Sequence, residues 1–353
     1  MMQHFLIPLL TLKDNGGGAV AMAFARSLKA TGAKVTILSS GFNGTVAVHR
    51  PENVGIDFLI SPSGNRILAL TMFFVYAVAY SFLRRPQLVY THIVTGLIPN
   101  FSGRKPLMLA QDLEYRFYAM LGRRLAKSLF ASVTQRSRLI VSSLWLEKFF
   151  RRRRLDILFS GDVGISRGLF DGQINPPTHT RTSDYLLIAK RGSHKRHDET
   201  CDLAARLAAR GYDVTLIDQM RVAGPVGGPP TLHVLDAVSQ TRMCELFRNA
   251  KVFICVSRAE GYGLTPLEAL SQGCYVVTTP TPSTARMRNA MLTVVNGSDD
   301  LVERLVQAAL LVREPRRDDS REGSNARCHV PFMEDWASTA VSAVEEADYH
   351  ERH

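Results

Sequence analysis

Two acids bracket a glycine-rich turn in Ser257-Arg-Ala-Glu260-Gly261-Tyr262-Gly263-Leu264-Thr265-Pro266-Leu267-Glu268. Carboxylates placed like Glu260 and Glu268 can hold hydroxyls of one ligand from two sides. The bare backbone of Gly261 and Gly263 lets that ligand come close, and the amides of Leu264 and Thr265, at the start of a helix, suit a phosphate. Glu268 has a second reading. Thr265-Pro266-Leu267-Glu268 has the form of a capping box with proline at the first helical position, closed by Gly273, which would make Glu268 a cap partner. Glu260 has no such reading. It follows the apolar run Val252–Ser257, and open α/β sheets bind ligands at the carboxyl ends of parallel strands.

Three further groups have the right residue types. Asn15-Gly16-Gly17-Gly18 is a glycine-rich turn feeding a helix, suited either to a diphosphate or simply to a tight turn. Lys190-Arg191-Gly-Ser-His-Lys195-Arg196 is a basic loop following an apolar run. Gln111-Asp112-Leu-Glu114 follows Leu107–Ala110; the spacing of Asp112 and Glu114 alone does not define a metal pair.

The elements that must position these residues alternate as short apolar runs and helical patterns, the signature of a parallel sheet with crossover helices. Strands are expected at Phe5–Leu10, Lys34–Leu38, Leu88–His92, Leu107–Ala110 and Leu139–Ser142, with helices at Ala19–Lys29 and around Trp145–Arg152. The pattern restarts at Tyr185–Ala189. Helices Asp198–Ala209 and Pro266–Gln272 then alternate with strands Asp213–Asp218, Val252–Ser257 and Tyr275–Thr279. Pro176-Pro177 is the linker candidate. The expected division is therefore residues 1–176, residues 177–330, and a last helix within 331–353, around Trp336–Ala347, that packs back on the first domain. Arg313–Arg327 reads as a polar excursion. The run Ile67–Leu83 carries no charge between Arg66 and Arg84-Arg85. It reads first as a buried crossover helix, with membrane contact as the alternative.

The chain of 353 residues is long enough for two domains, and its 46% apolar and 21% charged composition is that of a soluble globular protein. Its 43 Lys plus Arg against 32 Asp plus Glu give a net charge of +11, which favours phosphate-bearing partners. No recognition-helix, zinc-finger or aromatic single-strand signature accompanies that charge, so nucleic acid is not the expected partner. Five scattered cysteines form neither a disulfide framework nor a zinc pattern, which points to a reducing, cytoplasmic compartment. The N-terminus shows no charged leader before its short apolar run, so no secretory signal is expected.

The string E-G-Y-G-L-T-P-L-E-A-L-S-Q-G resembles the E-x7-E signature of retaining glycosyltransferases of family four. That resemblance implies the α/β GT-B fold, two Rossmann-like domains facing across a cleft. It places Glu260 beside the donor sugar and Glu268 on the ribose hydroxyls, with Gly261, Tyr262, Gly263, Leu264 and Thr265 forming the donor loop. It sets Gly17 and Gly18 near the donor phosphates and makes Arg191 and Lys195 the diphosphate cations, with Lys190 or Arg196 as substitutes and a solvated loop as the plain alternative. Gln111-Asp112-x-Glu114 resembles a stretch in polysaccharide-building members, where others carry a histidine. Asp112 or Glu114 there either orients an acceptor hydroxyl or caps the following helix. His92 sits where similar proteins often carry histidine, or is a satisfied core residue. Ser283 and Thr284 replace a glycine-containing loop and could donate hydrogen bonds to the donor.

The expectation is therefore a retaining hexosyl- or deoxyhexosyltransferase with no cofactor and no metal, using a nucleotide-diphosphate sugar as donor. Its acceptor would be a glycan or glycolipid in surface polysaccharide assembly. The basic first domain and Ile67–Leu83 suit peripheral contact with the anionic inner face of a membrane. The alternative is a non-catalytic, nucleotide-sugar-binding subunit of similar form.

Overall fold

The computed structural model describes residues 3–10, 16–40, 57–61, 65–116, 122–170, 181–190, 193–220, 229–285, 291–297, 300–312 and 331–352. It divides into two compact units: Met1–Val163 with Phe332–His353, and Gly164–Pro331. Pro176-Pro177 and Arg313–Arg327 lie outside the described residues. The division falls before the proline pair, at Val163/Gly164. There the Ile165 N–H donates to the Pro331 carbonyl at 3.0 Å, which ties the start of the second unit to its end.

The first unit runs β1 (His4–Leu9), α1 (Gly16–Ala30), β2 (Lys34–Ser40), β3 (Asp57–Ser61), α2 (Arg66–Arg84), β4 (Gln87–Tyr90), β5 (Leu107–Ala110), α3 (Arg123–Arg136), β6 (Arg138–Val141), α4 (Leu144–Arg151) and β7 (Ile157–Ser160). The strands lie in the order β3-β2-β1-β4-β5-β6-β7, and the recorded pairings are parallel. β4 and β5 are buried along their whole length rather than at alternate residues, as sheets covered on both faces require. On one face, Phe73 and Ala77 of α2, Phe130 and Val133 of α3, and Leu146 and Phe150 of α4 pack on Leu6, Leu88, Met108 and Leu139.

The second unit begins with α5 (Arg167–Phe170), then β8 (Ser183–Ala189), α6 (His197–Ala209), β9 (Val214–Asp218), β10 (Leu232–Leu235), α7 (Gln240–Asn249), β11 (Ala250–Cys255), α8 (Leu264–Ser271), β12 (Tyr275–Thr278), β13 (Leu292–Val294) and α9 (Leu301–Val312). Its order is β10-β9-β8-β11-β12-β13, again parallel. Leu203 and Leu207 of α6 and Leu305, Val306 and Ala309 of α9 cover one face, against Tyr185, Leu187, Val252 and Ile254. α7 and α8 cover the other.

The chain then returns to the first unit as α10 (Met333–Arg352), packed on α1 and β7. The Trp336 indole N–H donates to the Gly161 carbonyl at 3.2 Å and its ring meets Phe159 edge-on. Asp348, almost fully buried, accepts from Gln3 at 2.6 Å and pairs with Arg104 at 2.8 Å.

α2 is the expected crossover helix, but not a buried one. Ala69, Phe73, Ala77 and Ser81, one residue per turn, are fully buried. Ile67, Leu68, Val75, Tyr76, Phe82 and Leu83 are exposed, and Phe82 stacks edge-on with the exposed Phe101. By length and composition α2 could cross a membrane. Asn65 caps its start, accepting from the Ile67 and Leu68 amides, and Arg85 ends it in the left-handed conformation.

Candidate functional site

In each sheet the strand order reverses direction at one place: between β8 and β11 in the second unit, and between β1 and β4 in the first. Side chains just beyond the carboxyl ends of those strands face the crevice such a reversal opens. Lys190 and Lys195 follow β8, and Ser257 and Glu260 follow β11.

These residues meet. Lys195 donates to Glu260 at 2.5 Å through an ion pair that is mostly buried on both sides. The Ser257 hydroxyl donates to the other Glu260 oxygen at 2.6 Å. Lys190 donates to the Thr265 hydroxyl at 2.9 Å. The Arg258 N–H on the His194 carbonyl, at 2.8 Å, stitches the two loops together.

The two acids differ in charge state. Burial alone would raise the pKa of Glu260, but Lys195 and Lys190, with hydrogen bonds from Lys195 and Ser257, carry it below the ordinary carboxylate value. Burial raises Glu268 to about 7, only partly offset by Lys190. One carboxylate is thus firmly ionised, while its neighbour titrates near neutrality. Acids whose environments drive their charge states apart make this group a candidate functional site.

The capping-box reading of Glu268 is overturned. α8 begins at Leu264 behind Gly263 as N-cap, so Pro266 lies inside the first turn and Thr265 serves Lys190 instead of the helix end. Gly263 takes φ +91, and a Cβ there would come within 2.8 Å of the Thr281 hydroxyl. Ser283 and Thr284 are likewise not turned outward as donors for a ligand. The Ser283 hydroxyl donates to the Gly263 carbonyl at 2.7 Å, its amide donates to Tyr262, and Thr281 bridges Ser283 and Thr284. This buried hydroxyl cluster braces the left-handed turn from behind.

Of the expected cations, Arg191 lies outside the described residues, Lys195 is in the constellation, and Lys190 joins it. The signal for Lys190 was its place as the first residue past β8, where a side chain enters the crevice. Ser257 and its hydrogen bond to Glu260 were missed, although the residue holds the same position beyond β11. Arg196, at the start of α6, has a left-handed backbone (φ 52), and its buried Nε has no hydrogen-bond partner among the described residues.

Gly17, Gly18 and Asp112 belong to the first unit. Gly16, Gly17 and Gly18 form the first turn of α1 rather than a loop before it, and Gln111 donates to the Gly17 carbonyl at 3.3 Å, so this helix start and the Gln111-Asp112 loop are neighbours. Asp112 accepts from the Leu113 amide. Glu114 is not a surface cap. It is buried, accepts from the Ile93 amide at 2.7 Å and lies 3.5 Å from His92 Nε2. Burial, reinforced by Asp112 and moderated by the Ile93 bond, pushes it to about 8; burial lowers His92 to about 4. The Val94 amide donates to His92 Nδ1 at 3.1 Å, which leaves the ring proton on Nε2, toward Glu114.

Residues 184–310, which hold the whole Glu260 constellation, match the model of the family described as glycosyl transferases group 1. That match covers most of the second unit. The chain is also similar in sequence to a GDP-mannose:cellobiosyl-diphosphopolyprenol alpha-mannosyltransferase of Xanthomonas campestris, 26% identical over 166 residues, 45% of this chain and 39% of that protein. The namesake from Xanthomonas oryzae pv. oryzae is 26% identical over 148 residues, covering 41% and 38%. The matched stretch thus spans well under half the length of these curated relatives.

Among solved structures, the fold is shared with WaaG, a glycosyltransferase involved in lipopolysaccharide biosynthesis (TM-score 0.69, 16% identity, covering 95% of this chain and 99% of that one). Anabaena HepE in complex with UDP-glucose is also similar (TM-score 0.66, 11% identity, 99% and 100% covered). Two Rossmann-like α/β units of the GT-B class, the expected fold, are the fold of this chain.

Proposed function

We propose that the chain is a retaining glycosyltransferase that moves a hexosyl or deoxyhexosyl group from a nucleotide-diphosphate sugar to a glycan or lipid-linked acceptor. The observation that carries this reading is the ionised Glu260, fixed by Lys195 and Ser257 beside Lys190 and the near-neutral Glu268 at the reversal point of the second sheet. In this reading Glu260 holds the sugar hydroxyls and Glu268 the ribose, since a carboxyl group can both accept and, when protonated, donate. Gly261 and Tyr262, with the Gly263–Thr265 turn, form the backbone wall of the donor site. Breaking the sugar–phosphate bond leaves charge on the departing diphosphate. Lys190, the unpartnered Arg196 Nε and Lys195 are the fixed cations that would stabilise it more in the transition state than before. The acceptor attacks from the leaving-group face, and the diphosphate takes its proton. Neither a cofactor nor a metal enters this scheme.

The Xanthomonas relatives act on a polyprenol-diphosphate glycan and use GDP-mannose. A lipid-linked acceptor agrees with the exposed apolar face of α2 and the adjacent exposed Arg84 and Arg85. Gly17, Gly18 and Asp112 are assigned to the donor phosphates and the acceptor hydroxyl. The protein would work in the cytoplasm against the inner face of the membrane, with apolar insertion and attraction to anionic lipid adding together.

A thermal-shift panel of nucleotide sugars and free nucleoside diphosphates, GDP-mannose and UDP-glucose first, tests the reading. A true donor at a hundred times its Kd adds about 2.7 kcal/mol of stability. Glu260→Gln should stay folded and lose about 10²–10³ in donor turnover. Donor stabilisation without any transfer or donor hydrolysis would favour the non-catalytic binding subunit; no stabilisation by any donor would reject both.

A further inference from the structure

At the first turn of α6, three metal-ligating residue types converge. His197 and Cys201 are one turn apart on α6, and Asp218 ends the neighbouring strand β9. One ligand atom from each lies within 4.8 Å of the others, and all three residues are half-buried. His197 Nε2 is 2.9 Å from Asp218 Oδ1, and Cys201 Sγ is 3.9 Å from the same nitrogen.

The surroundings match what a metal-bound imidazole needs. The second ring nitrogen, Nδ1, lies 3.0 Å from Asp198 Oδ1, a carboxylate that fixes the ring and leaves Nε2 for an ion. The Met220 amide donates to Asp218 at 2.8 Å and orients that carboxylate. An imidazole, a thiol and a carboxylate form a borderline-soft donor set, which selects zinc-like ions over magnesium or calcium. Metal–ligand bonds of about 2.0–2.3 Å in a tetrahedral site set the ligand atoms about 3.3–3.7 Å apart. The imidazole–carboxylate pair must therefore open by a few tenths of an ångström and the thiol close by about as much.

We propose that His197, Cys201 and Asp218 form a binding site for a zinc-like divalent ion, with Asp198 as the outer partner of His197 and a water completing the tetrahedron. Cys201 releases its thiol proton to solvent as the sulfur–metal bond forms, and the His197–Asp218 contact gives way to two bonds to the ion. Bound there, the ion clamps the first turn of α6 to the end of β9, two residues beyond Lys195. The inference stands apart from the glycosyltransferase reading, because none of its ligands belongs to the Glu260 constellation.

Cobalt titration of the chelator-stripped full chain tests it. One equivalent of Co²⁺ should bind with a thiolate-to-cobalt charge-transfer band and tetrahedral d–d absorption, and Zn²⁺ should displace it. Cys201→Ser should abolish the charge-transfer band, and Asp198→Asn, which keeps all three ligands, should weaken binding by about 10–100-fold. No such band in the wild-type chain, or a band that survives in Cys201→Ser and so comes from another cysteine, overturns the proposal. Circular dichroism melts confirm that both variants are folded. If His197 and Asp218 form only an ion pair, Zn²⁺ leaves the melting temperature unchanged, which also overturns it.

Discussion

The two sheets reverse their strand order in the same way, yet their reversal points handle charge oppositely. In the second unit, Glu260 is surrounded by Lys195, Lys190 and the Ser257 hydroxyl and stays ionised. In the first, Glu114 and His92 are buried side by side, and each is driven toward its neutral form. The same topology thus supplies the position, and the neighbouring cations decide the protonation state. A crevice meant for an anionic ligand needs fixed charge. A buried glutamic acid kept protonated instead can donate a hydrogen bond.

Removing the cation should have the largest effect. Lys195→Met leaves Glu260 buried without its main partner and should cost about 3 kcal/mol by chemical denaturation. The same variant should raise the Glu260 pKa; an unchanged stability would mean that Lys190 alone suffices. The pH response separates the two units. Glu114 at about 8, above its ordinary 4.5, gives a stabilisation that is complete below pH 4.5 and lost as pH rises through 8. Glu268, raised to about 7, acts in the same direction. His92, lowered from 6.5 to about 4, works oppositely: its contribution is present above pH 6.5 and lost as pH falls through 4. Glu114→Gln should therefore flatten the decline of melting temperature between about pH 5 and about pH 9, and Glu268→Gln should remove a further part.

Gly263→Ala tests the brace behind the left-handed turn before α8. With φ +91 and the Thr281 hydroxyl in the way, it should cost about 2 kcal/mol, read by thermal or chemical denaturation. Ser257→Ala should have the smallest effect, about 1 kcal/mol in stability, with a modest upward shift of the Glu260 titration measurable by NMR.

Much of this architecture was legible in the chain, because continuous apolar runs ending in polar loops can hardly be anything but buried parallel strands. The group around Glu260 was visible for the same reason: it begins where such a run stops. What escaped were features set by residues distant in sequence. Thr265-x-x-Glu268 spells a capping box, but the hydroxyls of Thr281 and Ser283 hold Gly263 in a left-handed turn, and the helix starts earlier. Lys190, expected only as a substitute for Arg191 and Lys195, joins the group because it is the first residue past β8. α2 read as buried because it lacks charge. Only the packing of Ala69, Phe73, Ala77 and Ser81 reveals that one narrow stripe is covered. Whether Glu114 faces an acceptor or caps a helix stayed open in the sequence, because nothing local announces that Ile93 and His92 lie against it.

The polypeptide leaves the first unit at Val163 and comes back at Phe332, with the Ile165–Pro331 hydrogen bond joining the two crossings. The second unit is in effect an insertion whose ends meet, and such modules tolerate excision. A fragment of residues 164–331 should fold by itself, read by a cooperative thermal melt. Removing α10 would instead strip Trp336 and Asp348 from the first unit, so a change there would be felt at Phe159 and Gln3.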